Sequence, residues 1–235
     1  MRINKFIALN TSFSRRKADE LIKNKRVFLN NKLVENLGVD VNPEKDKITI
    51  DKKEITSSKT DLIYIALNKP SGFICSRAEN LNRKTVMELI PKKMNLKPVG
   101  RLDKDTEGLI LFTNDGDFIY KHTHPKYELE KEYFVIVTGD LTISKQGILE
   151  NGIIIENKKT APAKIRIEKR EKISTTLKIT IHEGRKRQIR KMFDYVGCPV
   201  KYLQRIRIGH LHLGTLEKGK FRNLTEQELN AYKRT

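Results

Sequence analysis

The sequence predicts an α+β fold in two parts: a small helix–helix–hairpin module over residues 1–59, then a larger domain over 60–235 with a largely antiparallel mixed sheet and flanking helices. Three observations predict it. Apolar residues recur at helical spacing as far as Ile22 and alternate from Val27 onward. In the second part, strands of period two and helices follow no regular βα alternation, which argues against a parallel doubly wound sheet. Between the parts, residues 52–60 are polar, hold Ser57-Ser58 and lack a sustained apolar period, as a linker would.

In the first module, Ile3, Phe6, Ile7 and Leu9 form a short amphipathic stripe, the expected first helix. Ser14 is placed to cap a second helix that carries Ala18, Leu21 and Ile22 on one face. Val27, Leu29, the pair Asn30-Asn31 and Leu33-Val34 spell a hairpin, because asparagine tolerates the left-handed backbone of a tight turn. Ile48 and Ile50 alternate with polar residues in a further strand.

The second part opens on a strand over residues 62–67, stopped by Asn68-Lys69-Pro70-Ser71-Gly72. Residues 109–113 read as a buried strand ended by Asn114-Asp115-Gly116. Further strands are expected at 133–137, 153–155 and 165–167, and through Leu177, Ile179 and Ile181. Helices are expected at 85–89, at 186–196 with Gly197 as the C-cap, and at 225–232, where Thr225 and Glu228 form a capping box.

Composition narrows the function. A formal net charge of +19 points to a polyanionic partner, nucleic acid first. No apolar run approaches the ~18 residues of a membrane span, and the N-terminus lacks a signal-peptide pattern. Cys75 and Cys198 are lone thiols, so neither a disulfide framework nor a zinc site is indicated and a reducing cytoplasm is expected. The five histidines show no metal-binding spacing, and neither a P-loop nor a Rossmann glycine pattern is present. The expectation is a protein with no metal and no cofactor.

The charges cluster. Arg15, Arg16 and Lys17 open the second helix, where cations oppose the helix dipole and so contribute little to stability. A helix start that grips phosphates explains them, although a solvated face is the plainer reading of an Arg-Arg pair alone. Within residues 183–193, Arg185, Lys186, Arg187, Arg190 and Lys191 crowd one turn and helix start, with Ile189, Met192 and Phe193 as the apolar back. Against this background, Asp103, Asp105 and Glu107 stand between and beyond Arg101 and Lys104. An acid kept within an anion-attracting surface asks for a chemical reason. Extended, the three could share a face and bind a divalent metal for RNA cleavage; taken alone, the loop is equally a surface turn. Tyr133 leads a strand and could stack on a base.

Two resemblances carry the reading further. Arg2, Lys5, Phe6, the run Ser14-Arg15-Arg16-Lys17-Ala18-Asp19-Glu20-Leu21-Ile22, and Arg26-Val27-Phe28-Leu29-Asn30 resemble the alpha-L RNA-binding domain. That implies structured-RNA binding through Arg2, Lys5, Ser14, Arg15, Arg16, Lys17 and Arg26. The motifs Leu67-Asn68-Lys69-Pro70-Ser71-Gly72, Gly100-Arg101-Leu102-Asp103, Asp105-Thr106-Glu107-Gly108-Leu109, Thr113-Asn114-Asp115-Gly116, Lys131-Glu132-Tyr133 and Glu183-Gly184-Arg185 through Arg190 resemble, in order and interval, the RsuA-type ribosomal RNA pseudouridine synthases.

This second resemblance implies Asp103 as the essential carboxylate, ionised and paired with Arg190. It implies Tyr133 packed on the target uracil and Arg101 holding the everted nucleotide, with Arg185, Arg187, Gln188 and Lys69 on the substrate. Lys186 stands where relatives often carry asparagine. The implied protein acts on ribosomal RNA or pre-ribosomal particles, with the wording of 100–116 and 184–192 nearer the large-subunit branch; the sequence is silent on oligomeric state, and a monomer is the default. The competing reading is an inactive RNA-binding assembly factor, for which Asp103 would be dispensable.

Overall fold

The computed structural model describes the chain except for residues 12, 57–60, 77–82, 92, 93, 95, 234 and 235. Its contacts divide it into two compact units, Met1–Asp61 and Leu62–Thr235.

The first unit packs helices α1 (Ile3–Asn10) and α2 (Arg15–Lys23) on a sheet of β1 (Val27–Leu29), β2 (Lys32–Leu33), β3 (Ile48–Ile50) and β4 (Lys53–Ile55), in the order β2-β1-β3-β4. Ile3, Phe6, Ile7, Ala18, Leu21, Ile22, Val27 and Ile48 make the core. Ser14 caps α2 by accepting from the Lys17 amide at 3.1 Å, and Asn30 and Asn31 turn the hairpin with φ of 50° and 65°. The first part of the expected linker belongs to this sheet instead. Asp51 and Lys52 repeat the positive-φ turn, at 50° and 65°, and Lys53–Ile55 pairs back on β3. An edge strand needs only one apolar side chain facing inward, so polar composition hid it. Residues 57–60 of that segment lie outside the described residues.

The second unit is built on one nine-stranded sheet. Its strands are β5 (Tyr64–Lys69), β6 (Lys97–Val99), β7 (Glu107–Thr113), β8 (Lys131–Thr138), β11 (Lys164–Glu171), β12 (Ser174–Ile181), β13 (Val200–Ile208), β14 (Leu211–His212) and β15 (Phe221–Asn223); β9 (Ile154–Ile155) and β10 (Lys158–Lys159) form a separate hairpin. The order is β11-β12-β8-β13-β7-β5-β15, with β14 on β13 and β6 on β7. Every pairing in it is antiparallel except β13 with β7, where Gln204 faces Glu107 and Arg205 faces Gly108.

Side chains alternate across the pleat, so the central strands feed two cores. Ile65, Leu67, Ile110, Phe112 and Val135 meet Leu149 of α4 (Ile143–Glu150) and Met192 and Phe193 of α5 (Gln188–Tyr195) on one face. Ala66, Leu109, Leu111 and Ile208 meet Phe118 of α3 (Gly116–Thr123) and Tyr232 of α6 (Glu226–Lys233) on the other. Burial on both faces is why all seven residues of β7 are buried. The outermost strand β11 is dressed with lysine, arginine and glutamate, which discourages further strand pairing. The expected helix at 85–89 is a 3₁₀ turn over Val86–Leu89, closed by a Thr85–Glu88 capping box.

Candidate active site

Two loops, one before β7 and one before α5, form the walls of a cleft at one end of the large sheet. The first is held from below by Lys69, the last residue of β5, which is fully buried. Its Nζ donates to the carbonyl oxygens of Pro70 (3.0 Å), Lys104 (3.3 Å) and Thr106 (2.7 Å). Three ammonium protons thus meet three carbonyls, two of them in the loop that carries Asp103. Burial pulls the Lys69 ammonium below the usual lysine range, opposed by attraction from Cys75, Glu107, Asp105 and Asp103. The Thr106 amide closes the turn on the Asp103 carbonyl at 3.1 Å.

The second wall is residues 183–190. Gln188 is buried; its Oε1 accepts from the Arg185 amide at 3.0 Å and its Nε2 donates to Glu183. The Arg185 guanidinium donates to the Lys158 carbonyl at 2.7 Å and to that of Lys159, and lies 3.2 Å from Glu183. Arg187 adopts the left-handed backbone, φ 52°, as α5 begins.

Asp105 fastens the two walls together. Arg187 Nη1 donates to both its carboxylate oxygens at 3.0 and 3.1 Å, Arg190 Nε lies 3.2 Å from Oδ2, and Arg190 Nη2 donates to the Asp105 carbonyl at 3.1 Å. Partial burial raises the Asp105 carboxyl, but the Arg190 charge and the Arg187 bonds outweigh it and hold the group below its ordinary value. Glu107 is committed elsewhere: it accepts from Tyr202 Oη at 2.8 Å and the Ser71 amide at 3.3 Å, and pairs with Lys218 at 2.8 Å. The three acids therefore point to different partners. Among the described residues, no group of three or more His, Cys, Asp or Glu is placed to hold a metal ion.

Between the walls lies a cavity of about 630 Å³ lined by Arg101, Asp103, Lys104, Tyr133, Lys186 and Arg187 among others. Asp103 is half-buried and Tyr133 is 7% exposed. Neither the Asp103 carboxylate nor the Tyr133 hydroxyl has a hydrogen bond or ion pair among the described residues. A carboxylate and a phenol stand open in a cationic cleft.

Residues 63–195, which hold both walls, match the family described as RNA pseudouridylate synthase, and residues 1–48 match the S4 domain. An uncharacterized RNA pseudouridine synthase of Aquifex aeolicus (strain VF5) is 41% identical over 233 residues, 97% of this chain and 92% of its own. The chain belongs to the RNA pseudouridine synthases. The ribosomal large subunit pseudouridine synthase B of Bacillus subtilis (strain 168) is likewise 41% identical, over 97% of this chain and 93% of its own length. A crystal structure of a pseudouridylate synthase superposes with a TM-score of 0.71 at 33% identity, over 98% of both chains. With its N-terminal S4 domain, this is a synthase of the RsuA type.

In this synthase two sequence-based expectations, for Arg190 and Lys69, need correction. Arg190 pairs with Asp105, two residues beyond the acid expected, because its guanidinium is anchored by the Asp105 carbonyl and by the Val200 carbonyl at 3.3 Å. Lys69 is not on the substrate; it is sealed beneath the loop. Arg185 and Gln188 border the cleft, yet their polar groups are spent on the wall itself. Arg101 and Arg187 do face the cavity, with Arg187 shared with Asp105.

In the S4 unit, Arg2 donates to the Gly38 carbonyl and lies 3.5 Å from Asp40, Lys17 pairs with Glu20 at 2.8 Å, Arg26 pairs with Asp51, and Arg15 donates to Asn4 at 3.2 Å. Arg16 is exposed and makes no hydrogen bond or ion pair among the described residues. Lys5 is half-buried.

Sequence reasoning passed over two contributors. Thr123, from α3, lines the cleft beside Gly100, and β13 seats the Asp103 loop by pairing with β7. The alternating run Tyr202-Leu203-Gln204-Arg205 was the available signal for the second.

Proposed function

We propose that this synthase converts a uridine of structured ribosomal RNA, in the large subunit, to pseudouridine, with Asp103 as its essential carboxylate. One observation carries the reading: the Asp103 carboxylate and Tyr133 hydroxyl share a cationic cleft and have no partners in it among the described residues. The choice of subunit rests on the 41% identity to the Bacillus subtilis protein named for it.

In the proposed reaction the target uridine leaves its stack, at a cost of a few kcal/mol, and enters the cleft. Arg101, Lys104 and Lys186 bind the flanking phosphates and offset that cost. Asp103 acts at the ribose as the bond from C1′ to N1 breaks. The uracil turns, C1′ bonds to C5, and the proton on C5 is lost while N1 gains one. Tyr133 packs on the detached ring and assists that proton's departure. The product is an isomer of the substrate, so atoms and electrons balance without a cofactor. Arg190 serves through Asp105, by fixing the distance between the walls. The S4 unit delivers the RNA; exposed Arg16, Lys23 at the end of α2 and Lys25 just beyond it are its contact residues. The protein works in the cytoplasm as a monomer, on free ribosomal RNA or on pre-ribosomal particles.

The test uses unmodified ribosomal RNA of both subunits without added metal, with carbodiimide-dependent primer extension as the readout. The expected result is one new stop in the large-subunit RNA, abolished by Asp103→Asn and strongly slowed by Tyr133→Phe. RNA that is bound but never modified would leave an assembly factor in place of the enzyme. An Asp103→Asn protein of normal activity would remove the carboxylate from the mechanism.

A further inference from the structure

We propose that Tyr120, Lys126 and Tyr127 form a stacking platform on the cleft rim that holds an unpaired nucleobase next to the target uridine; the proposal rests on the cleft being the uridine site. Tyr120 belongs to α3, and Tyr127 ends the 3₁₀ turn Pro125–Tyr127 that follows it. Both rings are exposed, at 47% and 41%, and neither belongs to a core cluster. They stand edge to face with centroids 6.0 Å apart. Lys126 Nζ sits over both, 5.3 Å from the Tyr120 centroid and 4.7 Å from that of Tyr127, and the His124 ring lies 4.8 Å from Tyr120. By contrast Tyr195, more exposed at 64%, has no ring or cation contact among the described residues.

Position gives the cluster its meaning. Thr123 lines the cleft, and Tyr120 precedes it by three residues on the same helix, so the two are surface neighbours. The turn is stiff. Pro125 fixes its first residue, His124 Nδ1 accepts from the Lys126 amide at 3.2 Å, the Glu128 amide donates to the Pro125 carbonyl at 3.1 Å, and Glu128 is left-handed at φ 45°. Rings held out on a rigid turn lose little freedom when a flat ligand lands on them. A base offers a π face whatever its identity, and an ammonium beside the rings meets the phosphate that comes with it. The one carboxylate in the turn, Glu128, faces His182 at 4.0 Å. An everted uridine exposes the bases on either side of it, so a base in this place completes the opening of the stack.

The chain has no tryptophan, so Tyr120→Trp and Tyr127→Trp each install a lone reporter. Quenching of its emission is expected on adding unmodified ribosomal RNA or an oligouridylate, but not with heparin, a polyanion without bases. Tyr120→Ala with Tyr127→Ala is expected to raise KM for unmodified ribosomal RNA about five- to 150-fold with kcat retained, and the paired Phe variant to restore it. Absence of quenching by either RNA, quenching by heparin equal to that by RNA, or a wild-type KM in the alanine pair would overturn the platform. RNA that quenches the reporter yet gains no pseudouridine would sink the enzyme reading and leave the platform standing.

Discussion

Arg190 reaches Asp105 twice, through Nε at 3.2 Å from the carboxylate and through Nη2 at 3.1 Å from the carbonyl of the same residue. A side chain gripped at both its head and its backbone cannot pivot, so the loop bearing Asp103 and the start of α5 move as one piece. Arg187 adds a second strut from the same helix start.

Removing that link should cost rate more than affinity. Asp105→Ala is expected to lower kcat roughly ten- to hundredfold, the usual penalty for a reacting group displaced by about 1 Å. Binding of ribosomal RNA should change little, since the variant frees two arginines. Single-turnover kinetics beside a filter-binding isotherm read the two quantities; a loss confined to binding would contradict the strut.

Lys69→Met should destabilise the larger unit by about 2 kcal/mol or more, because it deletes a donor shared by three carbonyls. The measurement is the urea midpoint. Unchanged stability would mean that water replaces the ammonium there without loss.

Gly108 is at φ 100°, and a Cβ on it would lie 2.2 Å from the Arg205 carbonyl oxygen and 2.7 Å from its amide nitrogen. Both contacts are backbone and neither can swing aside. Gly108→Ala is expected to cost about 3 kcal/mol or more and to unseat β13 from β7. Loss of amide protection along Val200–Ile208 in hydrogen exchange would show it.

Lys131 supplies a pH dependence. Its Nζ donates to the Leu129 carbonyl at 2.8 Å and that of His182 at 3.4 Å, and burial, with repulsion from Arg205, pulls its pKa down to about 8. The unfolded chain binds this proton up to about 10.4. Between these values it holds more protons than the folded protein, so this group makes stability rise with pH from about 8 to 10.4. Below about 8 that contribution is absent. Lys131→Met should flatten the rise, as read from urea midpoints across this range; an equal slope in the variant would assign it to another group.

The parts of this fold that were legible in the sequence are those whose local chemistry has one interpretation. Asn30-Asn31 could only turn, Ser14 could only cap, and the Thr225–Glu228 box closes as read, at 2.8 and 3.2 Å. Asn114-Asp115-Gly116 had two interpretations. It ends β7, but Asp115 also accepts from the Asp117 and Phe118 amides at 2.9 and 3.1 Å and so starts α3. Helix α4 was hidden because Ile143 and Ile148 face solvent and Gly147 interrupts it, leaving no stripe to detect. The cleft's two unpartnered groups were found through motifs. The partner of Arg190 was not, since residues 103 and 105 are equally acidic in sequence and only the path of the loop between them decides which one the guanidinium meets.

The parallel seam between β7 and β13 has a further consequence for how the protein is made. A nascent chain released from its ribosome as far as Tyr195 already holds Asp103, Tyr133 and every arginine of the cleft, yet lacks the strand that lies against Glu107 and Gly108. Contacts so distant along the chain form late and slowly. We therefore expect truncated intermediates to be unable to modify RNA even where the S4 unit binds it, so that synthesis of the chain and onset of its chemistry are separated in time by the last strands of the sheet.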